Sequence, residues 1–158
     1  MLKESEQAGK EITNRLYKDY KKLRGDLIET LTTDNPKVSR ADIIQHAQTI
    51  LDRILFIAFA EDKGLLAANT LADAYAHKDP YNPKPVWDNF KGLFRAIDKG
   101  SPDLGIPRYN GGLFEEDTAL ESLLLSNALC EGFKKLGDYD FNSEVSVTVL
   151  GHIFEQSI

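Results

Sequence analysis

The sequence contains only one cysteine, Cys130, among its 158 residues. An internal disulfide and a zinc site built from several cysteines are therefore excluded. Long hydrophobic runs are also missing, because the longest apolar stretch covers only residues 54–60 and is too short to cross a bilayer. The amino terminus is polar and unlike a signal peptide. These absences predict a cytoplasmic protein that has no membrane partner and needs no covalent cross-link to fold.

Positive charge is scarce as well. The chain has 19 Lys and Arg against 25 Asp and Glu, a formal net charge of -6, which argues against a domain whose main role is to bind phosphates. Any contact with DNA must therefore be local, and the candidates are Lys18, Lys21 and Lys22 near the amino terminus and Arg108 further along. The simpler interpretation of these residues is a solvated helix face and a surface ion pair.

The length and composition predict one all-α domain spanning residues 1–158. Hydrophobic residues make up 42% and charged residues 28% of the chain, as in ordinary globular proteins. Apolar residues recur at three- and four-residue intervals, which predicts helices, whereas no segment alternates as a strand would. The predicted helices cover residues 4–31, 39–63, 70–77, 86–99, 126–136 and 146–158, with a short leucine-rich element at 120–125 and turns at 79–85 and 138–142.

The second predicted helix should lie at the centre of the domain, because its second half is apolar on every side. We expect Leu51, Ile54, Leu55, Ala58 and Phe59 to form the core. The same helix carries two charged residues, Asp52 and Arg53. A buried charge needs a partner, so the sequence predicts that these residues form ion pairs with another helix.

Residues 103–117 show no sustained period and should form an ordered loop or a small hairpin. Gly111 and Gly112 supply backbone freedom for a tight turn, while Tyr109, Leu113 and Phe114 can anchor that turn in the helical core. A phosphate-binding loop is not indicated, because no lysine follows the glycines and no strand-to-helix pattern surrounds them.

Chemical motifs are few. Glu61, Asp62 and Lys63 match half of a metal-dependent nuclease motif, but that motif lies on a strand, whereas here the residues end a helix. Charges that solvate the helix end, with the lysine near its negative pole, are the preferred interpretation. The three histidines, His46, His77 and His152, lack metal-ligand spacing, and Cys130 is expected to pack in the core.

Three segments together resemble a known group of enzymes. They are LDRILFIAFAEDKGLL at residues 51–66, YNGGLF at 109–114, which includes Asn110, and LGHIFEQSI at 150–158. In this order they resemble the region between the nuclease and methyltransferase parts of single-chain type IIG and type IIL restriction-modification enzymes, the MmeI-like group. The resemblance covers roughly residues 39–158. It implies a helical spacer immediately before the adenine-specific DNA methyltransferase domain of a longer polypeptide.

The same resemblance limits what this chain should do. The family's Asn-Pro-Pro-Tyr catalytic motif and its cofactor-binding motif are absent from the sequence, so no catalytic or cofactor-binding residue is carried over. S-adenosylmethionine and Mg²⁺ are expected only in other domains of the parent enzyme. The expected partners are its methyltransferase and nuclease domains, with DNA bound by the full enzyme. Two alternatives stay open, a free-standing helical adaptor that binds protein and a fragment of a metal-dependent nuclease.

Overall fold

The two longest helices, α1 (Leu2–Asp34) and α2 (Arg40–Asp62), pack against each other. The computed structural model describes residues 2–109 and 111–138, with side chains from residue 15 onward. Buried residues of α1 follow one helix face and include Leu16, Tyr20, Leu27 and Leu31. This face is the apolar stripe from which the sequence predicts the helix.

Both ends of α2 lie within about one residue of the predicted bounds, 39 and 63. Ser39 precedes the helix in extended geometry, and its hydroxyl accepts a hydrogen bond from the backbone N–H of Asp42 at 3.2 Å. At the other end, Gly64 adopts a φ of 75° just after Lys63. A side chain would be strained in that conformation, so the glycine allows the chain to leave the helix.

The central position of α2 is confirmed. Ten of its residues are buried, and it contacts α1 as well as two later helices, α3 (Thr70–Ala76) and α6 (Asn127–Leu136). Among the described helices, α2 is long and apolar enough by length and composition to cross a membrane, a test that the core helix of a soluble protein also passes.

The remaining elements complete a helical domain. Helix α4 (Val86–Lys99) has the bounds predicted from the sequence, and α5 (Thr118–Glu121) is a single turn. Between them, a 3₁₀ turn at Pro102–Leu104 is closed by an isolated antiparallel bridge that joins Ser101 to Ile106. The part of the chain that the structure describes contains no strand, and the all-α prediction is confirmed. The helix predicted at 146–158 lies outside the described residues.

The core prediction is confirmed for four residues and wrong for one. Leu51, Ile54, Leu55 and Ala58 are fully buried. Phe59 is only partly buried and packs at the margin of the core, where the Lys63 ammonium lies 5.5 Å from its ring centroid. Phe59 belongs to the last turn of α2, and one side of that turn stays near the surface.

Candidate functional site

An aromatic cluster fastens the glycine loop, residues 107–117, to the helices. Phe114 is 1% exposed and makes edge-to-face contacts with Phe56 and Tyr109, at centroid distances of 5.5 Å in both cases. Phe56 also contacts Tyr109 at 4.9 Å, and Phe94 of α4 lies 6.0 Å from Phe114. Such pairs stabilise beyond their buried area. The sequence prediction that Tyr109 and Phe114 anchor the loop is therefore confirmed.

Arg53 joins the loop to α2 through its guanidinium group. The side chain is 3% exposed. Its Nε donates a hydrogen bond to the carbonyl of Leu113 at 2.7 Å, and its Nη2 donates one to the carbonyl of Glu115 at 2.8 Å. The guanidinium carbon lies 5.1 Å from the ring centroid of Phe94 and 5.8 Å from that of Phe114. We call this arrangement the Arg53 clamp.

The clamp corrects the expectation that Arg53 forms an ion pair with another helix. None of the ion pairs in the described residues involves Arg53. A planar guanidinium can donate to two carbonyls at once and lie over aromatic rings, so backbone and π-systems replace the carboxylate partner. Burial lowers the pKa of Arg53 below its ordinary value, while the carboxylates of Asp117 and Glu121 oppose this effect. An arginine nonetheless stays protonated.

The two glycines of the loop differ in their surroundings. A Cβ added to Gly111 would clash with the ring of Tyr109, whereas one added to Gly112 would meet nothing within 4 Å. A side chain at position 111 would therefore displace the Tyr109 ring, which packs on Phe56 and Phe114. Asn110, which belongs to the same motif, lies outside the described residues.

Asp52 lies on another side of α2 from Arg53 and joins α1 to α2. Its Oδ1 accepts hydrogen bonds from Gln48 Nε2 at 2.7 Å and from the Tyr20 hydroxyl at 3.5 Å. Gln48 also donates to the Tyr20 hydroxyl at 2.7 Å and accepts from Arg24 Nε at 3.1 Å. Burial raises the pKa of Asp52, and the bonds from Gln48 and Tyr20 partly oppose that rise. The partners of Asp52 are thus neutral hydrogen-bond donors rather than the expected cation.

Two of the three residues that resemble a nuclease motif, Glu61 and Lys63, contact different parts of the domain. Glu61 Oε1 accepts a hydrogen bond from the backbone N–H of Leu71 at 2.7 Å and so fixes the start of α3. Burial raises the pKa of Glu61, and the bond from Leu71 partly opposes this. Lys63 lies over Phe59, and Asp62 follows Glu61 at the end of α2. Among the side chains that the structure describes, residues 15–109 and 111–138, no group of three His, Cys, Asp or Glu could hold a metal.

The candidate DNA-contact residues are all exposed. Lys18, Lys21 and Lys22 are spaced by three and four residues and share one face of α1. Arg108 lies on a different element, where its backbone passes close to Gly100. The three lysines therefore lie together on α1, whereas Arg108 belongs to the segment that follows the 3₁₀ turn.

One contact that the sequence did not predict joins α1 to the segment before α6. Asn35, only 9% exposed, donates to the carbonyl of Leu124 at 2.9 Å and accepts from the N–H of Leu124 at 2.8 Å. Its amide also donates to the carbonyl of Leu31 at 3.1 Å. The nearest signal is an asparagine just before a proline at a helix end, which indicates a turn but gives no distant partner.

Cys130 is buried, and burial raises the pKa of its thiol to about 12. A thiol in that state is a poor nucleophile at neutral pH, which agrees with the expected packing role. Of the histidines, His77 is exposed, His46 is partly buried, and His152 lies outside the described residues.

No family model, curated protein or solved structure matches this chain.

Proposed function

We propose that the chain is a non-catalytic helical spacer that links and orients the nuclease and N6-adenine DNA methyltransferase modules of a restriction-modification enzyme. The observation that supports this most directly is the Arg53 clamp. It connects two of the three segments on which the resemblance rests, residues 51–66 and 109–114. The guanidinium of Arg53 donates its hydrogen bonds to backbone carbonyls of the same chain.

A rigid connection between these segments is what a spacer requires. The guanidinium of Arg53 crosses from the central helix to the loop, and Phe56 packs on both Tyr109 and Phe114. A buried hydrogen bond to a charged group is more stabilising than a neutral one. The motif residues are thereby explained as architecture, and the proposal needs no catalytic group within them.

Contact with DNA belongs to the proposal only in the context of the full enzyme. Lys18, Lys21 and Lys22 form an exposed basic face on α1, and Arg108 offers a second exposed cation. With a net charge of -6, the isolated chain should bind DNA poorly at physiological salt. S-adenosylmethionine and Mg²⁺ belong to other domains of the parent enzyme under this proposal, and the enzyme is cytoplasmic.

The test is a titration of this chain with S-adenosylmethionine and with duplex DNA, at low and at physiological salt. A longer polypeptide that includes the following methyltransferase region serves as the comparison. The proposal expects the longer polypeptide to bind both ligands, and the chain alone to bind neither at physiological salt. Tight DNA binding or DNA cleavage by the chain alone would contradict it.

The two alternatives are separated by different measurements. A metal-dependent nuclease would cleave DNA in Mg²⁺ and lose that activity in Glu61→Gln, whereas the spacer expects no cleavage by either protein. The structure offers Glu61 another role, since its carboxylate accepts the hydrogen bond from the start of α3. The protein-binding adaptor is favoured by one observation, an open apolar groove between α3 and α4.

A further inference from the structure

The surface between α3 and α4 contains an open groove, which we call the α3–α4 groove. It has a volume of about 550 Å³, and its lining includes Ala74, Leu93, Leu104 and Ile106. This volume falls within the range of pockets that bind small ligands. Leu93 and Ile106 are each 9% exposed, so they form the deeper part of the lining.

Leu104 stands at the exposed rim of the groove. It is 64% exposed although it lies on a well-defined turn. The backbone of Ser101 and Ile106 exchanges two hydrogen bonds, of 2.8 and 2.9 Å, across the base of this turn. The turn therefore holds the leucine side chain in water beside the apolar lining of the groove.

Gly92 gives the groove additional room. It lies in the interior of α4 and lines the groove, and an added Cβ would meet nothing within 4 Å. Glycine destabilises a helix interior relative to alanine, and the fold itself does not require it at this position. What the missing side chain does provide is close access of another chain to α4.

The two walls of the groove are tied to each other before anything binds. The side-chain amide of Asn89 on α4 donates to the carbonyls of Ala74 and His77, at 3.0 Å in both cases. These bonds hold the end of α3 against α4. A groove that is already formed in the free protein lowers the ordering cost of binding.

The rim of the groove carries negative charge. Asp73 and Asp88 both line it. Asp88 forms an ion pair with Lys91 at 3.1 Å, whereas no ion pair in the described part of the chain involves the Asp73 carboxylate. An occupant with a cation next to an apolar side chain would therefore match both the lining and the rim.

We propose that the α3–α4 groove docks a basic amphipathic helix that belongs to a different protein. An apolar side chain of that helix enters between Leu93, Leu104 and Ile106, and a lysine or arginine one turn away faces Asp73. Helices that lie in apolar grooves use such anchors at three- and four-residue spacing. This inference goes beyond the spacer role and does not depend on it, because it rests on the groove alone.

The test uses a fluorescein-labelled synthetic helix of leucine and lysine, with a leucine–glutamate helix as the comparison, in anisotropy titrations against the 158-residue chain. The leucine–lysine helix is expected to bind and the leucine–glutamate helix to bind at least about tenfold more weakly. Gly92→Leu, which fills the groove from α4, should weaken binding of the basic helix about tenfold or more.

Two matched controls come from the chain itself. Gly25 is also a helical glycine with nothing within 4 Å of an added Cβ, and it lies on α1, so Gly25→Leu should leave binding unchanged. Leu124 is 66% exposed, close to the 64% of Leu104, but does not line the groove. Leu104→Ser should weaken binding, whereas Leu124→Ser should not.

The charge of the rim is tested with Asp73→Asn, which should weaken binding of the basic helix roughly threefold at low salt and less at high salt. Equal effects of Gly92→Leu and Gly25→Leu would overturn the proposal. So would equal binding of the acidic and basic helices. Self-association of the unmodified chain that Gly92→Leu abolishes would assign the groove to a second copy and would also overturn it.

Discussion

Asp52 and Arg53 are neighbours in the sequence, yet they fasten α2 to two different kinds of structure. Asp52 accepts hydrogen bonds from Tyr20 and Gln48 and so joins two helices. Arg53 donates to backbone carbonyls of the glycine loop. Consecutive helical residues point about 100° apart, so one turn of α2 serves both contacts. The helix–helix contact follows a periodic pattern, whereas the loop has none and depends on particular hydrogen bonds.

The loop side should show the largest single effect at Phe114. Phe114→Ala removes a fully buried ring that contacts Phe56, Tyr109 and Phe94, and should lower the free energy of unfolding by about 3–5 kcal/mol. Phe59→Ala is the matched control, with an expected loss of roughly 1–2 kcal/mol because its ring is only partly buried. Urea denaturation measures both, and equal losses would contradict the assignment of the two rings.

The contact between α2 and the glycine loop is tested directly by replacing Arg53. Arg53→Met keeps an unbranched apolar stem but removes both hydrogen bonds, and should cost about 2–4 kcal/mol, since two partly buried carbonyls lose a charged donor. Arg53→Lys should recover only part of this loss, because an ammonium group cannot reproduce the fork of the guanidinium. If Arg53→Lys matched the unmodified protein in urea denaturation, a single charge would suffice and the clamp geometry would be wrong.

The two glycines of the loop should differ by a smaller amount. Gly111→Ala places a methyl group against the ring of Tyr109 and should cost about 1–3 kcal/mol. Gly112→Ala has open space around it and should stay within about 0.5 kcal/mol of the unmodified protein. Thermal unfolding of the two variants side by side provides the measurement. The reverse order would show that the tyrosine ring packs elsewhere.

The helix side should show the smallest effect, at Asp52. Burial raises its pKa above the ordinary 3.8, so the folded state binds the proton more tightly than the unfolded state. Stability contributed by this group is therefore highest below pH 3.8 and falls as the pH rises through the raised pKa. Asp52→Asn should increase the free energy of unfolding by under about 1 kcal/mol at neutral pH.

The pH dependence distinguishes this explanation from a general change in packing. The stability difference between Asp52→Asn and the unmodified protein should vanish at a pH below 3.8, where the aspartate is protonated in both the folded and the unfolded state. Urea denaturation over this pH range checks it. A stability difference that stays constant with pH would mean that the substitution changes packing and does not act through the raised pKa of Asp52.

The helices were more predictable than the contacts that join them. The bounds of α4 and α2 agree with the sequence, because they depend on residues close in the chain, such as the cap at Ser39 and the glycine at position 64. The clamp could not be predicted in this way. Arg53 and Leu113 lie 60 positions apart, and a buried arginine is satisfied equally well by a carboxylate or by carbonyls.

The candidate site was likewise predictable only in part from the sequence. The sequence predicted that Tyr109 and Phe114 anchor a turn at Gly111 and Gly112, since glycine favours tight turns and large aromatic side chains pack in cores. It gave Arg53 the wrong partner and did not indicate the bond between Asn35 and Leu124. The α3–α4 groove was also not predicted, because it depends on how a turn and two helices approach one another in space.

The most direct test of the clamp is amide hydrogen exchange over residues 111–117 in Arg53→Met, with Asp52→Asn as the control on the same helical turn. Exchange reports local opening of the loop separately from global unfolding. We predict that the Glu115 amide, which donates to the Gly112 carbonyl at 3.2 Å, exchanges at least about tenfold faster in Arg53→Met than in the control, while the protected amides of α4 change only by the difference in global stability. Unchanged exchange of the loop relative to α4 in Arg53→Met would contradict the clamp, and with it the main structural support for the spacer.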